Sequence, residues 1–142
     1  LLGDVVRVAA ETAQLSGLEL EVEDVAHLTL RFASGVLASV HVDYVERPAA
    51  HWLRVVGRHG VILWNGVDGV AELHRALAPR PESVAPPPGF TRASLFLDEM
   101  RHFLDCLAGD ATPACSLADG VAALEIALAA LRSAAERRTV DL

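Results

Sequence analysis

The hydrophobic pattern of this chain changes its period once. Between Asp4 and Arg75 the apolar residues alternate with polar ones or run in short β-branched stretches; from Ser94 to Ala135 they recur every three or four positions. A repeat of two places successive side chains on opposite faces of a strand, and a repeat near 3.6 stacks them on one face of a helix. Strands that precede helices, instead of alternating with them, point to an α+β domain. The expected architecture is an open, mostly antiparallel β-sheet with helices packed on one face. Residues 1–142 read as a single domain, a length at which folding buries roughly 70% of the chain's surface without disulfides or metal.

The strands follow from punctuation. Asp4 to Gln14 reads as the first and ends before Ser16-Gly17. Asp24 to Ala33 and Val36 to Val45 flank Ser34-Gly35, a hairpin signal. A three-residue loop with Gly35 in the left-handed region sets Phe32 opposite Val36, Leu30 opposite Ala38, Leu28 opposite Val40 and Ala26 opposite Val42. One face of that pair is then wholly apolar. The other carries Val25, His27, Thr29 and Arg31 against Leu37, Ser39, His41 and Asp43. A second hairpin spans His51 to Asn65 around Gly57-Arg58-His59-Gly60, and Val70 to Arg75 adds a strand.

Ala76 to Gly89 holds five prolines without periodicity and reads as a long loop. In the first helix Ser94 is the expected cap, Asp98 and Glu99 lie near the positive end, and Phe96, Met100, Phe103, Leu104 and Leu107 share a face before Gly109. The second opens with a Ser116-Leu-Ala-Asp119 capping box and presents Val121, Leu124, Leu128, Leu131 and Ala135 as one stripe. Its small residues Ala122, Ala123, Ala127, Ala130 and Ala134 permit close approach of a neighbouring surface, and Arg132, Arg137 and Arg138 complement its C-terminal dipole. Thr139 to Leu142 reads as a last short strand.

Charge narrows the function classes. With 19 acidic residues against 12 arginines and no lysine, the net charge is −7. The field has the wrong sign for phosphate, so neither nucleic acid nor an anionic membrane is an expected partner. Glu125 interrupts the longest apolar run, which falls short of the roughly 18 residues of a membrane span. Cys106 and Cys115 make neither a CxxC motif nor a disulfide framework, which favours a reducing, cytoplasmic setting and buried structural thiols. The chain begins with Leu1 in place of Met and reads as part of a longer polypeptide.

Few residues gather into a chemical pattern. His27 and His41 face each other with Asp43 along the same face, but no third ligand of recognisable spacing follows, and no metal is expected. Gly57-Arg58-His59-Gly60 matches a nucleic-acid GxxG loop in letters only, because it joins two strands. No GxGxxG, phosphate loop or GxSxG is present. Asp43-Tyr44-Val45-Glu46-Arg47 is more suggestive, since it puts carboxylates, a phenol and a guanidinium where a strand runs into a loop. Arg47 can grip an anion in a bidentate fork, while Asp43 and Tyr44 can hydrogen-bond hydroxyl groups. A solvated strand end carries the same residues.

Five segments in order resemble the C-terminal domain of the Gfo/Idh/MocA (glucose-fructose oxidoreductase and inositol dehydrogenase) family. They are Leu-Leu-Gly-Asp-Val-Val-Arg-Val at the start, Leu-Arg-Phe-Ala-Ser-Gly-Val-Leu-Ala-Ser, and Leu-Arg-Val-Val-Gly-Arg-His-Gly-Val-Ile-Leu-Trp. Phe-Leu-Asp-Glu-Met-Arg-His-Phe-Leu-Asp-Cys-Leu-Ala-Gly and the terminal Asp-Gly-Val-Ala-Ala-Leu-Glu-Ile-Ala-Leu complete the set. The resemblance implies a parent enzyme in which an N-terminal Rossmann domain, absent from these residues, binds NAD or NADP and carries the catalytic lysine. That parent would act on a sugar, cyclitol or related polyol. The fragment alone is expected to hold no catalytic and no cofactor-binding residue, and to be inactive. The resemblance also implies a homodimer through the half-polar sheet face, with His27, Thr29, Arg31, Ser39 and His41 at the interface. It puts Asp43, Tyr44 and Arg47 near the substrate pocket. The competing expectation is a free-standing small-ligand or protein-interaction module sharing the fold.

Overall fold

A computed structural model describes residues 2–142; Leu1, the first residue of the opening segment, lies outside the described residues. The chain forms two compact units. The first comprises residues 2–46 with Ala114–Leu142, and the second Arg47–Pro113. The α+β class and the antiparallel pairing are as the sequence predicts, and the strands divide between two four-stranded sheets.

The first unit contains β1 (Val5–Ala13), β2 (Val25–Phe32), β3 (Leu37–Asp43), α2 (Leu117–Glu136) and β8 (Val140–Asp141). Its sheet has the order β3-β2-β1-β8. The β2–β3 register is the expected one: Leu30 pairs with Ala38, Leu28 with Val40, Ala26 with Val42 and His27 with His41. Gly35 has φ 86°, and the Phe32 amide donates to the Val36 carbonyl at 2.9 Å, closing the three-residue loop. A side chain in that left-handed region would be strained, which is why glycine stands there.

Helix α2 covers this sheet through a face other than the leucine stripe. Its buried residues are Ala129, Ala130 and Ser133, and the two alanines join Val8, Leu30 and Val140 in the core. Leu124 and Leu128 remain more than half exposed within this unit. Small side chains let the helix backbone approach the sheet, and the Ser133 hydroxyl accepts the Ala10 amide at 3.0 Å while donating to the Arg138 carbonyl at 2.7 Å. Alanine at Ala130 therefore acts as a contact residue. The Ser116 cap and Asp119 form the expected box. The last turn holds no basic residue; Arg137 is the C-cap itself, with φ 51°, and Arg138 pairs with Glu136.

The second unit contains β4 (Trp52–Gly57), β5 (Gly60–Asn65), β6 (Ala71–Arg75), β7 (Glu82–Val84) and α1 (Arg92–Ala108), with sheet order β4-β5-β6-β7. Strand β7 corrects the reading of 76–89 as pure loop. Its three residues lie between the prolines and at a sheet edge, where a missing amide donor costs no ladder bond, and Glu82 meets the Arg75 guanidinium at 2.6 Å. Helix α1 begins earlier than predicted, after Thr91. Ser94 is the third helical residue, and its hydroxyl accepts the Thr91 amide at 3.2 Å. Asp98 and Glu99 consequently lie beyond the first turn. The apolar residues of α1 are exposed, with Cys106 and His102 among its more shielded positions.

Candidate functional site

The end of β3 is built around two aspartates. Asp24, only 2% exposed, precedes β2 and accepts the Leu15 and Ser16 amides at 2.8 Å each, together with the Ser16 hydroxyl. Its own amide donates to Ala13 and its carbonyl accepts the Tyr44 amide at 3.1 Å. One residue thus ties the turn after β1 to the residue that leaves β3. The Ser16 hydroxyl and the turn amides hold its carboxyl below the ordinary carboxylate range, outweighing burial.

Asp43 organises the loop that follows. Its Oδ1 accepts the Val45 amide at 2.7 Å and the Glu46 amide at 2.6 Å, and its Oδ2 lies 3.2 Å from His41 Nε2. Those amides, more than His41, hold its carboxyl low. Asp43 fixes the chain direction by an Asx-type turn, with its side chain mostly shielded. Tyr44 is exposed, with its backbone anchored and its phenol outward. Arg47 opens the second unit.

The five residues expected at an interface share the face of the first sheet opposite α2. His27, Thr29 and Arg31 alternate with core-facing Leu28 and Leu30, and pair with His41, Ser39 and Leu37. All are exposed. β1 continues this face with Arg7, Ala9 and Glu11, and Arg7 donates to Asp141 at 2.6 Å. The imidazoles of His27 and His41 lie 5.9 Å apart, centroid to centroid.

The second unit carries a concavity of about 670 Å³ lined by residues from Pro48 to Leu53 and from Leu63 to Glu72. Trp52 stands 69% exposed at it. Trp64 meets His51 edge to face at 4.9 Å. Gly66 is required here: a Cβ would fall 2.6 Å from His51 Nδ1 and 2.8 Å from the Trp64 ring. Asn65 and Asp68 bind one another at 3.1 Å across the turn, and Glu72 Oε2 lies 2.9 Å from His74 Nε2. Sequence reasoning missed this feature, although both tryptophans of the chain fall within one predicted hairpin.

No group of three or more His, Cys, Asp or Glu suited to a metal occurs among the described residues. A pyrophosphate needs open amides at a helix start. Here the α2 start is closed by Ser116 and Asp119, whose carboxylate lies 2.8 Å from the Ser116 amide, where a phosphate would be repelled. At the α1 start the Ser94 hydroxyl accepts the Thr91 amide. No helix among the described residues is long and apolar enough to cross a membrane. Both cysteines are free thiols; Cys106 Sγ lies 3.6 Å from His102 Nε2.

Residues 1–142 match the Gfo/Idh/MocA family model described as "Oxidoreductase family, C-terminal alpha/beta domain". The D-apiose dehydrogenase of Paraburkholderia graminis is 32% identical over 155 aligned positions, covering 100% of this chain and 40% of that protein. The chain thus spans well under half the length of that relative. The WlbA dehydrogenase from Bordetella pertussis, solved with NADH and UDP-GlcNAcA, is 25% identical with a TM-score of 0.71, covering 100% of this chain and 41% of that one. An oxidoreductase from Agrobacterium radiobacter, solved with NAD+, L-tartaric acid and magnesium, shares the fold at a TM-score of 0.80 and 24% identity, covering 99% and 44%.

Proposed function

Because this chain belongs to the Gfo/Idh/MocA oxidoreductase family, as its C-terminal alpha/beta domain, we propose that it forms the substrate wall and subunit contact of an NAD(P)-dependent oxidoreductase acting on a sugar, cyclitol or related polyol. The carrying observation is the match of all 142 residues to the family's C-terminal domain. The sugar chemistry draws support from the D-apiose dehydrogenase, and the nicotinamide from the NADH-bound relative.

In this reading the cofactor binds to a Rossmann domain outside these residues and supplies hydride chemistry. The present residues shape the pocket. Asp24 and Asp43 hold the loop after β3 in one conformation, Tyr44 offers a phenol to a substrate hydroxyl, and Arg47 offers a guanidinium fork. A preformed loop lowers the entropy cost of binding. The exposed face carrying His27, Thr29, Arg31, Ser39 and His41 forms an isologous homodimer contact, and within its own unit this face lies opposite the one that α2 packs on. The protein resides in the cytoplasm, consistent with two free thiols.

The test is to express the whole reading frame from which this sequence comes and follow nicotinamide absorbance with a panel of aldoses and cyclitols. Turnover with at least one of them, together with no saturable NAD or NADP binding by the 142-residue chain alone in calorimetry, is the expected result. No turnover, or micromolar dinucleotide binding by the chain alone, contradicts the proposal and leaves the free-standing module.

A further inference from the structure

We propose that the concavity of the second unit is a stacking subsite for a neutral saccharide ring, with Trp52 as its platform. This deepens the sugar reading above, on which the ligand class rests; the site itself rests on its geometry. Its volume, about 670 Å³, falls within the roughly 300–1,000 Å³ of small-molecule sites. An indole left 69% exposed offers an apolar plane that water covers at a cost, and the C–H face of a sugar ring is suited to cover it.

The surroundings set the charge of the ligand. The lining contains two carboxylates, Asp68 and Glu72, and no arginine. Arg54 leaves β4 on the Trp52 face but outside the lining, and the two lining carboxylates weigh against an anionic sugar while offering acceptors to neutral hydroxyl groups. Each carboxylate keeps acceptor capacity. A carboxylate has about four lone-pair sites, and Asp68 uses its oxygens once each, on the Val70 amide and Asn65, while Glu72 Oε2 meets His74. The platform is also braced. Packing of His51 and Trp64 against Gly66, and the Gly66 amide donating to the His51 carbonyl at 2.6 Å, hold the corner beside Trp52.

Both tryptophans of the chain line this concavity, so tryptophan emission, excited selectively over Tyr44, reports on it alone. The experiment titrates the 142-residue chain with D-glucose, D-xylose and D-apiose, and with D-gluconate as the anionic control, in the wild type, Trp52→Ala and Trp64→Phe. A saturable emission change with at least one neutral aldose is expected. It should persist in Trp64→Phe, where Trp52 is the only tryptophan, and weaken about tenfold or more, read by calorimetry, in Trp52→Ala. D-Gluconate should bind more weakly than D-glucose. Trp52 is exposed, so its replacement leaves the fold, checked by circular dichroism, intact. No saturable change with any aldose overturns the subsite, as does equal affinity in Trp52→Ala, or emission that follows protein concentration and ignores sugar, which would mean a second copy covers the indole. Turnover by the whole protein is read separately, so its presence without sugar-dependent emission overturns the subsite and spares the family reading.

Discussion

At the scale of single residues, Asp24 does more than its place in the sequence suggests. It precedes a strand like many turn aspartates, and nothing in its neighbours marks it as buried. Only the folded chain shows that Leu15, Ser16 and Tyr44 converge on it. Asp43, by contrast, was legible as a strand-end carboxylate, while its use of both oxygens within its own chain was not. The pH dependence follows. A carboxyl whose folded pKa is lowered contributes stability that is complete above its unfolded value, near 3.8, and is lost as pH falls through the folded value. Asp24→Asn should therefore lower the melting temperature at neutral pH, and the gap to the wild type should narrow in thermal melts below pH 3.8, because the amide does not titrate. A gap that stays constant through that range would show that the charge contributes nothing.

At the scale of elements, the β2–β3 hairpin was fully readable, because alternation and Gly35 jointly permit one register that segregates the faces. The face of α2 was not. Leucines outweigh alanines in any hydrophobicity count, yet close approach to a sheet selects small residues, and Ala129, Ala130 and Ser133 take that role. Strand β7 was hidden by the prolines around it, since edge pairing leaves almost no compositional trace. A pair of variants separates the two faces. Ala130→Leu should destabilise the chain by about 1–3 kcal/mol through overpacking, whereas Leu128→Ala, at a position 56% exposed, should fall within about 0.5 kcal/mol. Denaturant melts that rank them the other way would restore the leucine stripe as the packed face.

At the scale of the whole molecule, class and family were legible from the order of segments, and the division of strands between two sheets was not, because alternation places a strand without naming its neighbours. The half-polar face of the first sheet sets one expectation at this scale. Arg31→Glu or His41→Asp should shift a dimer toward monomer in light scattering, and a wild-type monomer at tens of micromolar removes the interface. The most direct test of the central claim, that this domain supplies the substrate wall, is the pair of Michaelis constants of the whole enzyme carrying Arg47→Ala or Tyr44→Phe. The account predicts a KM for sugar raised about tenfold with the KM for the nicotinamide unchanged. Unchanged sugar constants in both variants would contradict it.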